Sequence, residues 1–214
     1  MKHGILLLML FIFHGFYVHG QELRGELGVG SDIAKFKGDA ELQIRRSSIE
    51  NNSYSLLGQL KIEYEAADWL DVGITYRYKA TGESDSYADN HIGYNNKNRY
   101  TFDLQYKSDR FDNDIKLKNR LRYQVNVDAD GDKVTYLRNR LTLDYKLTNL
   151  YRPYMAAEVY YKTDEQIIKN LRLYLGSEFE MERHSIELFY ILEVDIEKKP
   201  EMVYILGLAY GIKL

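Results

Sequence analysis

A chain of 214 residues has room for one substantial domain, and the complete lack of cysteine excludes a disulfide framework, a thiolate metal site and a lipid-modified cysteine anchor. The formal charge of −3 argues against a nucleic-acid binder, while two prolines against twenty tyrosines point to long, uninterrupted strands. After the first twenty residues, no stretch approaches the roughly 18 consecutive apolar residues of a transmembrane helix.

Met1-Lys-His is a short positive stretch, and Ile5 to Val18 is almost wholly apolar. With Val18-His-Gly20 ahead of Gln21, residues 1–20 read as a secretory signal peptide, too short in the apolar part for a comfortable membrane span. Gln21 to Gly30 alternates only weakly, through Leu23, Leu27 and Val29, and is cut by Gly25, Gly28 and Gly30. Phe36 to Arg46 alternates well, and so do Tyr54 to Glu65 and Trp69 to Lys79. A polar stretch without periodicity runs from about Ala80 to Asn98 and contains Glu83, Asp85, Asp89 and His91. Alternation resumes at Arg99 to Lys107. It continues through Leu117–Val125, Leu137–Tyr145, Tyr154–Lys162, Lys169–Glu180, Ser185–Ile196 and Met202–Leu214.

Period two is the mark of a strand with one apolar and one polar face. These runs are mostly about 9 to 14 residues, where soluble strands average about 5–6 and a tilted transmembrane strand needs about 9–11. The polar face carries Arg45, Arg77, Arg99, Arg120, Arg122, Arg138, Arg140 and Arg172 together with Glu41, Glu63, Glu158, Glu178 and Glu193. The apolar face carries Tyr54, Tyr64, Tyr76, Tyr78, Tyr106, Tyr145 and Tyr161, a pattern suited to interfacial aromatic girdles. Connections alternate between short turns and longer loops, as in bacterial outer-membrane barrels. The expectation is an all-β, antiparallel up-and-down transmembrane barrel over residues 36–214, apolar face outward. It has about ten strands, or twelve if one has been merged. An even count puts both termini in the periplasm, so residues 21–35 are expected at the periplasmic mouth or in the lumen.

Several of these runs carry a resemblance. Asn119-Arg-Leu-Arg-Tyr123, Tyr136-Leu-Arg-Asn-Arg-Leu-Thr-Leu-Asp-Tyr-Lys-Leu147, Pro153-Tyr-Met-Ala-Ala-Glu-Val-Tyr160, Asn170-Leu-Arg-Leu-Tyr174 and Tyr204-Ile-Leu-Gly-Leu-Ala-Tyr210 resemble the outer-membrane barrels catalogued as domain of unknown function 2490. That resemblance covers most of the chain. It implies a Gram-negative outer-membrane protein of Bacteroidetes type, with no assigned activity and no catalytic or ligand residues.

In a narrow barrel the charged face must form paired ladders, because an unpaired buried charge is costly. The result is either a self-filled interior or a narrow, porin-like polar pore for small solutes. Leu117 to Tyr145 reads as a hairpin in which Leu121 faces Asn139, Arg120 faces Arg140 and Arg122 faces Arg138. The four guanidinium groups then need carboxylates, from Asp103 and Glu158 on adjoining strands or from Glu63 and Glu193 across the lumen. Asn126, Asp128, Asp130 and Asp132 match the first half of a calcium loop, but Leu137 occupies the position of its bidentate glutamate. A three-residue turn Ala129-Asp-Gly131, with Gly131 left-handed, keeps the apolar faces aligned. His184 sits in a predicted turn, and His91 in the long loop is the remote candidate for an outer-rim hydrolase. No enzyme and no cofactor is expected. The partners expected are outer-membrane lipid and the barrel-assembly machinery, met through the last strand, and the protein is expected to be a monomer. The competing class is a secreted soluble barrel with a ligand inside.

Overall fold

The computed structural model describes residues 21–48, 53–83, 93–109, 111, 114–197 and 201–214. The expected signal peptide at residues 1–20, and His91 with Asp85 and Asp89, lie outside these described residues. Eleven strands form the described chain: β1 (Glu22–Ile33), β2 (Phe36–Ser47), β3 (Tyr54–Ala67), β4 (Leu70–Glu83), β5 (Gly93–Lys107), β6 (Ile115–Val127), β7 (Lys133–Tyr145), β8 (Tyr151–Lys162), β9 (Ile167–Glu180), β10 (His184–Asp195) and β11 (Glu201–Lys213). They close into one barrel in which each strand pairs with its sequence neighbours, and β1 completes the ring against β11.

The count of eleven corrects both ten and twelve, and it comes from β1. Residues 21–35 are not a segment at a mouth or in the lumen: Glu22–Ile33 is wall, antiparallel to β2 from Glu22↔Ser47 to Ile33↔Phe36. An odd up-and-down barrel must close through one parallel pair, and here β1 runs parallel to β11 from Glu22↔Ile205 to Gly30↔Lys213. Leu23, Leu27 and Val29 therefore sit on the outer face, and Glu22, Arg24 and Glu26 turn inward. The termini lie at opposite rims, which corrects the expectation that they share one. Among the described residues, the C-terminal rim carries Leu214 and the connections at residues 34–35, 68–69, 146–150 and 181–183; the N-terminal rim carries Gln21 and the connections at residues 128–132 and 163–166.

Alternation sets the two faces. The largest apolar side chains point outward on strand after strand, with Leu27, Leu42, Leu60 and Ile74 each 58–62 % exposed. Aromatic rings gather toward the C-terminal rim, where Phe36 meets Tyr64 at 5.0 Å, Trp69 meets Tyr106 at 6.1 Å and Tyr151 meets Phe179 at 4.8 Å between centroids. Tyr76 differs from the girdle expectation, since it lies inside β4 against Tyr100 at 5.3 Å. The polar stretch before Arg99 is shorter than its composition suggests. β4 and β5 continue their pairing through Ala80↔Asn96 to Glu83↔Gly93, where small and polar residues keep the ladder without an apolar face.

The β6–β7 hairpin has the expected register, with Leu121↔Asn139, Arg120↔Arg140 and Arg122↔Arg138. Its turn is tight. Gly131 takes a φ of +89°, a conformation that carries no penalty only without a Cβ, and its N–H donates to the Asp128 carbonyl at 3.2 Å.

Candidate functional site

Every predicted arginine and glutamate of the charged face points into the barrel. Cross-strand pairing sets guanidinium groups directly opposite one another: Arg24↔Arg45, Arg77↔Arg99, Arg120↔Arg140 and Arg122↔Arg138. Like charges so placed repel, and burial raises the cost, so the arrangement persists only where partners compensate it.

On the β5–β9 side carboxylates do so. Asp103 is 1 % exposed and accepts a two-pronged bond from Arg122, at 2.5 Å from Nε and 2.6 Å from Nη2. Glu158, equally buried, accepts from Arg138 Nη2 at 2.8 Å and from the Tyr174 hydroxyl at 2.6 Å, with Arg120 at 3.6 Å. Tyr160 and Tyr174 supply ring faces to Arg138 at 4.1 Å and to Arg140 at 4.0 Å. Of the carboxylates considered for the hairpin arginines, Asp103 and Glu158 serve, both from strands adjoining the hairpin. Glu63 and Glu193 do not reach across the lumen. Glu63 takes Lys61 at 2.7 Å, and Glu193 takes Arg172 at 2.5 Å.

On the β2–β5 side the compensation is different. Arg45 Nε donates to Gln43 at 2.5 Å, Arg77 donates to Gln59 at 2.9 and 2.6 Å, and Arg99 Nε donates to Asn126 at 2.9 Å. All three acceptors are neutral amide oxygens. The carboxylate nearest to this trio among the described ion pairs is Glu41, 4.0 Å from Arg77.

The lumen contains a cavity of about 630 Å³. Its floor is the arginine level, and it reaches the C-terminal rim beside Asp32, Arg183 and Lys213. The inner faces of the closing strands leave this space, for they present Gly28 and Gly30 on β1 and Ala209 and Gly211 on β11. Glu26, Glu41, Glu178 and Glu187 line one side of it. Toward the N-terminal rim the interior is packed, with Gln43, Ser55, Leu57, Gln124 and Ile205 all buried. The Phe189 ring lies over Gly207, where a Cβ would come within 2.0 Å of its Cζ.

The sequence reading missed several of these groups. Arg24, Glu22 and Glu26 were hidden because β1 was not counted as wall. Phe189, Ile191 and Ile205 were hidden because the inner face of β10 and β11 is itself apolar at mid-strand and does not stand out as a charged face does. The amide holders Gln43 and Gln59 share the parity of Arg45 and Lys61, and that parity was the available signal.

The four residues of the calcium-like stretch are divided between two environments. Asn126 turns into the lumen, where its oxygen accepts from Arg99 and from Gln124 at 3.0 Å. Asp128 caps the turn, accepting from the backbone N–H of Asp130 at 3.1 Å and of Asp132 at 2.9 Å. His184 stands at the start of β10, with Nδ1 2.7 Å from the Tyr210 hydroxyl.

A wall apolar outside and charged inside defines an inside-out β-barrel with a basic, partly filled lumen. The chain belongs to the family described as protein of unknown function, DUF2490, whose model matches residues 23–198. Among solved structures, the translocator domain of the autotransporter NalP from Neisseria meningitidis is similar to this chain at 16% identity, covering 75% of this chain and 69% of that one, with a TM-score of 0.49. Comparison with curated proteins found no match.

Proposed function

We propose that the protein is a monomeric outer-membrane β-barrel of a Gram-negative bacterium, with a blind lumen and no enzymatic role. One observation carries the reading: a continuous apolar outer face around a charged interior. Fully burying a Leu or Phe side chain is worth about 1.5–3 kcal/mol. Leaving even ten such groups in water would therefore forgo ~15–30 kcal/mol, beyond the ~5–15 kcal/mol net stability of a domain. Lipid around the wall removes that cost. The dimensions agree. Outward residues from Met202 to Ile212 span about 33 Å of strand, or about 25 Å of height at a 40° tilt, the thickness of an outer-membrane apolar band.

The two- and three-residue connections at 34–35, 68–69 and 181–183 support a periplasmic C-terminal rim, and β11 is then the strand offered to the barrel-assembly machinery. Packing around Leu57, Gln124 and Ile205 supports a lumen closed toward the outside rather than a pore. Membrane fractionation with unboiled and boiled gels tests the placement: the expected result is an outer-membrane protein whose mobility shifts on heating. Recovery in the soluble fraction would mean a secreted soluble barrel instead. Planar-bilayer recording tests the closure, with no unitary conductance expected. Steady single-channel steps would replace the blind lumen with a narrow pore. An epitope inserted at residues 129–131 is expected to be reached by antibody on intact cells, and one at residues 34–35 only after lysis.

A further inference from the structure

Arg45, Arg77 and Arg99 share one kind of hold. Each is fixed by an amide oxygen from the side, through Nε in every case, and none has a carboxylate closer than 4.0 Å among the described ion pairs. Such a grip orients a guanidinium without neutralising it. All three border the cavity. Beside them the Thr75 hydroxyl, 7 % exposed and also on the cavity wall, has no hydrogen-bond partner. Three guanidinium groups held by neutral amides, with Glu41 at 4.0 Å from Arg77 alone, stand with a partnerless hydroxyl on an open cavity, an arrangement that can accept negative charge.

We propose that this cavity binds a small phosphomonoester of a polyhydroxylated molecule, such as a sugar phosphate, with the phosphate on Arg45, Arg77 and Arg99. A phosphate dianion supplies three terminal oxygens and about two charges, which planar guanidinium forks match bidentately; a monocarboxylate would leave most of the trio's charge unmet. The cavity of about 630 Å³ is much larger than one oxyanion requires and falls within the usual ~300–1,000 Å³ of small-molecule pockets. Its remaining wall selects the rest of the ligand. Glu26, Glu41, Glu178 and Glu187 border that space, and carboxylates accept hydrogen bonds but donate none. They favour a body rich in hydroxyl groups and free of further negative charge. The inference goes beyond the membrane reading and holds whichever side the C-terminal rim faces.

Isothermal titration of the full-length protein, folded in detergent, tests it with three probes: glucose 6-phosphate, inorganic phosphate and glucose. Glucose 6-phosphate is expected to bind at one saturable site about tenfold or more tighter than inorganic phosphate, and glucose not at all. Arg99→Gln is expected to weaken glucose 6-phosphate about tenfold or more, and Arg45→Lys, which keeps the charge but loses the fork, by a smaller factor. Arg46→Gln on the outer face is expected to change nothing. A heat-dependent gel shift identifies the folded variants, and Arg45→Lys serves where Arg99→Gln fails to fold. No saturable binding of either phosphate compound, equal affinity for both, or undiminished binding by folded Arg99→Gln and Arg45→Lys would each overturn the proposal.

Discussion

The parallel seam between β1 and β11 can be trapped chemically. Leu23 and Leu206 are register partners across it, both outward-facing, and the chain contains no cysteine to compete. In the double variant Leu23→Cys/Leu206→Cys, two thiols sit on neighbouring strands. Strand spacing of about 4.7–4.9 Å falls within the ~4.4–6.8 Å Cα separation that a disulfide bridges. The control pair is Leu42→Cys/Leu208→Cys. Leu42 pairs with Leu27 on β1, and β1 lies between β2 and β11, so these two positions are at least two strand spacings apart, about 9–10 Å. Oxidation is expected to cross-link the first pair and leave the second reduced. The bond closes a loop of roughly 180 residues, for which chain entropy sets a stabilisation of about 5 kcal/mol, an upper figure if the parallel geometry strains the bridge. Non-reducing gels of boiled protein show the cross-link as faster migration that a reductant reverses, and unfolding in denaturant measures the stabilisation. Efficient cross-linking of the control pair with none at Leu23 and Leu206 would refute eleven strands and return β2 to the side of β11 in a ten-strand barrel.

Three further outcomes follow from the wall and its contents. Glu158→Gln keeps shape but removes the charge that Arg138 and Arg120 share, so a loss of about 3–5 kcal/mol is expected in denaturant unfolding, with Arg46→Gln near neutral as the comparison. Gly207→Ala drives a methyl group into the Phe189 ring and is expected to cost about 1–3 kcal/mol. A double-mutant cycle with Phe189→Leu should show strong coupling between the two positions; simple additivity would place the ring elsewhere. Ala34 holds a φ of 53° in the two-residue β1–β2 turn, so Ala34→Gly is expected to raise stability by about 0.5–1 kcal/mol, read as a higher unfolding midpoint.

What could be read from the residues depended on whether the two faces of a strand differed. Along Leu117–Val125 of β6 and Leu137–Tyr145 of β7 apolar and charged or polar residues alternate, broken on the outer face only by Asn119 and Asn139, and a one-residue slip would have put guanidinium groups on the apolar face. That penalty fixes the hairpin register, while the choice of Asp103 and Glu158 over Glu63 and Glu193 rests on how β5 and β8 pair with the hairpin. In β10 and β11, Phe189, Ile191 and Ile205 are as apolar as Leu188, Tyr190 and Leu206, so the inner face at mid-strand carries no charge to mark it, and the packed part of the lumen is not legible. β1 failed for the opposite reason. Its three glycines thin both faces, and its outer leucines are few, so the segment looks too weak to be wall.

The same weakness explains why the seam and the cavity coincide. A strand closing a ring in parallel gains slightly less per residue from its ladder than an antiparallel one, and bulky inner side chains on both partners would crowd the curve. Gly28, Gly30, Ala209 and Gly211 relieve that crowding, and the volume they leave becomes the cavity beside the arginine floor. The chain holds Arg45, Arg77 and Arg99 with Gln43, Gln59 and Asn126, which set direction without cancelling charge. Neutral holders in front of an open space are the arrangement expected where the missing negative charge arrives from outside the chain.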